Sequence, residues 1–227
     1  MGRTTDENTM DEENPPTRRG VRETYDRIGS HFAETRAYPW PAVERFVERT
    51  APRTDATWGL DLGCGNARHA ALLADRAERV VGIDASRTVL DTARERTREA
   101  DHRIALCQAD ATHLPLAADS VALGVYIATI HHLPSRTDRI ASLDELTRVL
   151  APGGRALVSA WSTTHETFDR ETGFDTTVDW TLPGGETVPR YYHIYDPAEF
   201  ERDLAASALG VERTFEEAGN CYAVVCS

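Results

Sequence analysis

Lysine is missing from this chain of 227 residues, so all 25 basic side chains are arginines, set against 37 acids for a net charge of −12. A surface this acidic excludes attraction of a polyanion by overall charge, and any contact with nucleic acid has to rest on local arginine clusters. Carboxylate excess suits a salt-rich cytoplasm, where acids hold hydration water and salt screens their repulsion, so a halophilic protein is expected. Cysteine is scarce as well: Cys64, Cys107, Cys221 and Cys226 form no Cys-x-x-Cys pair and sit mostly in apolar strand contexts, which reads as reduced core residues. No apolar run reaches the length of a membrane span and no leader-like segment opens the chain, from which a cytoplasmic location without membrane contact is expected. The length allows one substantial core. A single domain is expected over 18–227, after a polar, acidic tail over 1–17 that is expected to be disordered.

What the chain does contain is a stretch that turns an apolar strand into a glycine loop and then a helix, Leu60-Asp-Leu-Gly-Cys-Gly-Asn-Ala-Arg68. Gly63 and Gly65 remove the Cβ atoms that would hold the backbone away from a bound molecule, and the amides opening the next helix point into the same space. About twenty residues on, Val80-Val-Gly-Ile-Asp84 reads as a second strand ending in a carboxylate, the distance of a ribose-binding acid in dinucleotide folds. Asp61, at the mouth of the loop, would repel a pyrophosphate and attract the ammonium of an amino-acid moiety, which favours S-adenosylmethionine over NAD. A third strand leads into Asp110-Ala-Thr, an acid placed to accept from an adenine amino group. With three strand-ending acids the chain resembles the class I S-adenosylmethionine-dependent methyltransferases, although Ala67 stands where many of them have a third glycine. The resemblance implies a Rossmann-like α/β fold, a seven-stranded, mostly parallel sheet with helices on both faces. It implies cofactor contacts at Tyr25, Asp61, Gly63, Gly65, Asp84, Ala85, Asp110, Ala111 and Ile127.

Along the chain, Val21, Tyr25, Ile28 and Phe32 recur at three to four residues and predict a helix over 18–36, followed by a short one over 42–49 with Pro41 in its first turn. Residues 18–50 thus form a helical cap. Helices are expected from about Ala67 and Ser86, strands from Arg79 and Arg103, a fourth strand over 119–126, and a helix over 133–150 ended by Ala151-Pro-Gly-Gly154 before a strand over 155–161. Strands alternating with helices imply a parallel sheet. Residues 162–189 break the alternation and read as a lid-like insertion or binding loop. A short strand over 190–195, a helix over 197–207 and an antiparallel hairpin over 210–226 close the chain.

Three further segments are dense in polar and aromatic residues: Tyr25–Pro41, Ile127–Leu133 and Arg190–His193. They resemble signature segments of the tRNA wobble-uridine carboxymethyl methyltransferases, and the likeness runs from about Tyr25 to the end. That resemblance implies tRNA as substrate, esterification of a 5-carboxymethyl-type wobble uridine, and a small zinc-binding activator protein as partner. A carboxylate is already anionic near neutral pH, so its methylation needs positioning rather than a general base. Arg36 and Arg190 are the expected carboxylate clamps, with His132 and His193 beside them as catalytic candidates and His31, Trp40 and Tyr192 as substrate contacts.

Plainer roles stand beside these: Arg36 as a solvated helix-end charge, Trp40 as packing, one of Tyr191 and Tyr192 in the core, and the arginines at 18, 19, 22 and at 45, 49, 53 as solvated faces. Being adjacent, His131 and His132 are expected to send at most one ring into a pocket. No metal site is expected, since neither has a further ligand at suitable spacing. The third strand is expected at a sheet edge, where a partner would add a strand beside Ile104 and Leu106 and pack on Val89 and Leu90, or a second copy would pair. Two other readings stay open: a class I methyltransferase for a small metabolite, and a non-catalytic cofactor-binding partner subunit.

Overall fold

The computed structural model describes residues 15–50, 57–98 and 104–227. The expectations for 1–14, for Arg53 and for Arg103 lie outside those residues. Strands β1 (Trp58–Leu62), β2 (Arg79–Asp84), β3 (Ile104–Gln108), β4 (Val121–Ile127) and β5 (Leu150–Trp161) form the parallel part of one sheet. A two-stranded hairpin, β6 (Phe174–Thr181) with β7 (Thr187–Ile194), stands apart from it. Strands β8 (Gly210–Glu217) and β9 (Asn220–Cys226) close the sheet antiparallel to β5, giving the order β3-β2-β1-β4-β5-β9-β8. All seven residues of β4 are buried. Strands covered on both faces carry unbroken apolar runs instead of alternation, as Val-Ala-Leu-Gly-Val-Tyr-Ile does here.

Helices α1 (Arg18–Glu34), α2 (Pro41–Arg49), α3 (Ala70–Ala74) and α4 (Arg87–Thr97) precede β3, and α5 (Arg136–Val149) and α6 (Pro197–Ala206) follow β4. One core packs Leu143, Leu146, Phe200 and Leu204 on the sheet, and the other packs Val43, Phe46, Leu73 and Ala93 on the opposite face. Thr17 caps α1 by accepting from Gly20 N, and Ser86 caps α4 by accepting from Val89 N. The two helices touch closely at Gly29, where a Cβ would lie 3.0 Å from Val89. Val89 and Leu90 are therefore buried under α1, at 2% and 1% exposure, and are not available to a partner as expected. The β3 edge is as expected: among the described residues β3 pairs only with β2, and Ile104 and Leu106 are half-buried.

Four boundaries differ from the sequence reading. Helix α3 begins at Ala70 rather than near Ala67, because Ala67 takes φ 59° and prolongs the loop. Helix α5 starts after Ser135, whose hydroxyl accepts from Asp138 N, and Ile130–His132 form a separate 3-10 turn before Pro134. The Ala151–Gly154 stretch ends α5 but lies inside β5 as a bulge, with Leu150 beside Val121 and Arg155 beside Leu123. The insertion over 162–189 is largely the hairpin, since β6 runs antiparallel to β7 from Phe174 opposite Ile194 to Thr181 opposite Thr187. Pro189 argues against a central strand, yet this one is free on one side and tolerates it. No helix among the described residues is long and apolar enough to cross a membrane.

Candidate active site

Strand β1 lies between β2 and β4, so the chain reverses direction across the sheet at β1 and β4, and ligands in such sheets sit beyond the carboxyl ends of those strands. A cavity of about 420 Å³ opens there, within the range of small-molecule sites. Its walls come from the glycine loop, the ends of β2 and β4, the residues after β3, α1 and β7.

The glycine loop leaves bare backbone on the wall. Gly63 has φ 68° and a Cβ there would collide with Thr129, while Gly65 has φ 56° and open space where its Cβ would stand. Asp84 fixes this loop to β2: its Oδ2 accepts from Gly65 N at 3.0 Å and its Oδ1 from Ser86 N at 2.9 Å. Asp61 is 1% exposed and its Oδ2 has no hydrogen-bond partner. Burial pushes its carboxyl up to about 7, against the pull of Arg68 and with a further push from Asp84. A buried carboxylate left in this state gains from a cation, so the loop fits a ligand that carries an ammonium. Asp110 is more engaged than expected, since Arg18 donates to Oδ2 at 2.9 Å and the Thr112 amide and hydroxyl both donate to Oδ1. A carboxylate offers about four acceptor positions, which leaves one for a ligand amino group. Ala85, Ala111 and Ile127 complete this half as apolar wall.

The opposite half is cationic and aromatic. Arg190, on β7, is 6% exposed; its Nη1 donates to the Tyr192 hydroxyl at 2.6 Å, its Nε has no partner, and no carboxylate among the described residues pairs with it. Its guanidinium lies 5.0 Å from the Trp180 ring and 5.2 Å from that of Tyr192. The Arg36 guanidinium stacks on Phe32 at 4.6 Å and, among the described residues, donates only to Thr35 Oγ1. Burial lowers its pKa, with Tyr192 opposing and Arg190 adding its repulsion. Trp40 lines the cavity with Arg68 over its ring at 5.4 Å, and Tyr191 and Tyr192 are both buried.

Both adjacent histidines reach the cavity wall, where at most one was expected, because successive side chains of a tight 3-10 turn splay to either side. His131 is engaged at Nδ1 and His132 at both ring nitrogens. The Trp161 amide donates to His131 Nδ1 at 2.8 Å. His132 Nδ1 donates to the Tyr191 carbonyl at 3.0 Å, so its Nε2 accepts from the Tyr25 hydroxyl at 2.9 Å. Burial pushes His132 down to about 4 and His131 well below its ordinary value, so both rings are neutral.

Three expected site residues are not on the cavity wall: Asp61, which directly precedes Leu62 of the wall, and two histidines. His193 is not at the cavity: Nδ1 meets Asp175 at 2.6 Å and Nε2 meets Glu199 at 2.9 Å, tying the hairpin to α6. His31 is also off the wall, its Nδ1 accepting from Trp180 Nε1 at 3.1 Å and so holding the ring beside Arg190. Of the clustered arginines, Arg18, Arg19 and Arg45 pair with Asp110, Glu23 and Glu217. Arg68, Thr129 and Trp161 also line the cavity and escaped the sequence reading; only Arg68, just after the glycine motif, had a local cue. Among the described residues no group of three or more His, Cys, Asp or Glu is placed to hold a metal ion.

With this geometry in place, comparison with known proteins is informative. The methyltransferase domain model matches residues 60–158. A putative methyltransferase of Encephalitozoon cuniculi is 30% identical, over 82% of this chain and 85% of its own length. The tRNA (carboxymethyluridine(34)-5-O)-methyltransferase of Schizosaccharomyces pombe is 27% identical over 84% of the chain and 88% of its own length. Its counterpart in Xenopus tropicalis is 35% identical over 70% of the chain. The chain spans only 20–30% of the length of these vertebrate relatives. Among solved structures, the complex between the Haloferax volcanii Trm112 methyltransferase activator and the putative methyltransferase shares the fold, with TM-score 0.63 and 16% identity over 91% of this chain and 96% of that one.

The His193 bridge makes the hairpin pH-sensitive. Burial opposes the charge on His193, but Asp175 and Glu199 overcome it and raise its pKa; burial likewise opposes Asp175, and His193 and Tyr191 overcome it and lower its pKa. The His193 contribution is complete below its unfolded pKa of 6.5 and is lost as pH rises through the raised folded value. That of Asp175 is present above 3.8 and lost as pH falls through its lowered value. The Tm difference between wild type and His193→Gln should therefore be largest between these limits and shrink above pH 6.5. A difference that stays constant on going alkaline would mean that His193 is not charged in the fold.

Proposed function

We propose that this chain, which belongs to the family of S-adenosylmethionine-dependent methyltransferases, esterifies the carboxylate of a 5-carboxymethyl-type uridine at the wobble position of tRNA. S-adenosylmethionine is the methyl donor, and when bound it supplies an electrophilic sulfonium methyl. The observation that carries the acceptor is Arg190, a buried guanidinium with an unpartnered Nε and no acid beside it. Burying an uncompensated charge costs several kcal/mol, so an anion from the substrate belongs there. Arg36 stands on the same aromatic wall and completes a clamp, through parallel N–H donors that a carboxylate accepts in pairs. Trp40 and Tyr192 offer ring faces to the uracil.

The remaining residues take complementary roles. Asp61 receives the ammonium of the donor, Asp84 the ribose hydroxyls, and the free position on Asp110 the adenine amino group. His132 keeps the Tyr25 hydroxyl turned to the cavity wall. Neither His131 nor His132 is free to take a proton, which is compatible with an acceptor that is already ionised. The relatives named for methylating carboxymethyluridine support tRNA as the substrate. For the partner, the unpaired β3 edge supports a small zinc-binding activator that adds a strand beside Ile104 and Leu106.

Changing Asp84 to Ala should weaken S-adenosylmethionine binding by about 1.5–3 kcal/mol, read by calorimetry, and an unchanged affinity would remove Asp84 from the donor site. Arg190→Ala and Arg36→Ala should each lower kcat/KM on tRNA bearing carboxymethyluridine by about 10- to 150-fold while donor affinity holds, and Arg36→Lys should restore little. The product should release methanol in mild alkali. A stable methyl group, or turnover of small acids but not of tRNA, would defeat the reading. Leu106→Glu should break co-purification with the activator and leave donor binding intact; a complex that survives would move the interface off this edge.

A further inference from the structure

The loop between α1 and α2 carries an exposed aromatic ring that the cavity chemistry does not use. Tyr38 is 83% exposed, yet the backbone around it is pinned on every side. Asn66 Nδ2 donates to the carbonyls of Ala33 and Arg36 at 2.8 and 2.9 Å, Arg96 Nη2 donates to that of Ala37 at 2.7 Å, and Trp40 N donates to His69 Nε2 at 3.4 Å. A single exposed tyrosine needs no explanation by itself. Its surroundings do, because Arg36, Arg68 and Arg96 gather behind this loop, and none makes an ion pair with a carboxylate among the described residues. Glu34 and Glu95, the acids nearest in sequence, pair with none of them. Burial and then Arg36 push Arg68 down to about 10, with Asp61 opposing and Arg96 adding to the push. In a chain of net charge −12, a cluster of guanidiniums left without acids is a seat for an anion from outside.

Position decides which anion. Arg36, Arg68 and Trp40 line the cavity, whereas Tyr38 and Arg96 do not, so the ring and the outer guanidinium form the cavity's rim. An RNA that places one unstacked nucleotide in the cavity brings the next base and its phosphates to that rim. An aromatic face with an unpaired arginine beside it is the pairing that single strands bind, stacking for the base and charge for the backbone.

We propose that this rim is the docking platform for the RNA loop carrying the acceptor nucleotide, with Tyr38 stacked on a neighbouring base and Arg96 on a flanking phosphate. The proposal rests on the reading of the acceptor as an RNA uridine. The test compares wild type, Tyr38→Ala, Tyr38→Phe and Arg96→Ala on an anticodon stem-loop bearing 5-carboxymethyluridine and on the free nucleoside. Tyr38→Ala should raise KM for the stem-loop roughly 5- to 100-fold with kcat unchanged, and Tyr38→Phe should behave as wild type. Arg96→Ala should weaken stem-loop binding and reduce its salt dependence by about one phosphate contact. Turnover of the nucleoside and affinity for S-adenosylmethionine should be the same in all four proteins.

An unchanged stem-loop KM in Tyr38→Ala overturns the platform, and so does an equal loss on the nucleoside, which would mark a structural role. Loss of activator binding with unchanged stem-loop KM assigns the rim to protein and overturns it too. Should wild type methylate no RNA, direct binding of the stem-loop separates the two ideas. Binding that Tyr38→Ala weakens upholds the platform while the methylation reading fails, and no binding by wild type removes the platform.

Discussion

Two buried charges, each with one polar atom unpartnered, bracket one cavity: Asp61, which precedes the wall residues Leu62 and Gly63 on the sheet side, and Arg190, on the wall itself at the hairpin side. Each forfeits hydration for little return, since burial outweighs the pull of Arg68 on Asp61 and no carboxylate among the described residues pairs with Arg190. The fold tolerates them because everything around them is over-determined. Asp61 sits in β1 between two parallel neighbours, and Arg190 sits in a strand tied to α6 by His193 and Glu199 and walled by Trp180, Phe32 and Tyr192. The carboxylate beside the glycine loop favours a cationic group on that side, and the guanidinium on the hairpin side favours an anionic one.

The cofactor half was legible because its determinants are local. A strand, two glycines and an acid follow one another in the chain, and backbone geometry at Gly63 and Gly65 needs no distant residue to become readable. The parallel strands and the closing pair were legible for a related reason: apolar runs buried on both faces announce central parallel strands, and the hairpin around Ala218-Gly-Asn announces the closing pair, whereas the order of the strands came from the structure. The helix starting at Ala70 was misplaced only because a non-glycine residue, Ala67, adopts a left-handed conformation that pattern reading assigns to glycine.

The acceptor half was only partly legible, because its meaning lies in contacts across long stretches of chain. Residue type nominated Arg190, and its position on the cavity wall agreed. Residue type nominated His193 equally well, and there it misled, since Asp175 and Glu199 are 18 residues before and 6 residues after it and consume both ring nitrogens. The same holds for His31, whose partner Trp180 is 149 positions away on a hairpin that polar, alternating sequence disguised as a loop. A histidine's role depends on who takes its two nitrogens, and single-sequence reasoning sees neither partner.

The neutral histidines carry the chemical argument one step further. In a methyl transfer to a hydroxyl or an amine, a base has to accept a proton, and the wall of the cavity would be expected to hold one poised near neutral pH. Here four imidazoles stand on the wall and each has a ring nitrogen committed, His131 to the Trp161 amide, His132 to the Tyr191 carbonyl and the Tyr25 hydroxyl, His69 to the Trp40 amide and His165 to the Thr167 amide, and burial keeps His69, His131 and His132 uncharged. On the same wall stand the cations Arg36 and Arg190, which bind anions and take no protons. A site built in this way suits a nucleophile that arrives ionised and needs only to be held and stripped of water. Among the oxygen nucleophiles of nucleic acids and metabolites that condition is met near neutral pH by a carboxylate far more readily than by a sugar hydroxyl.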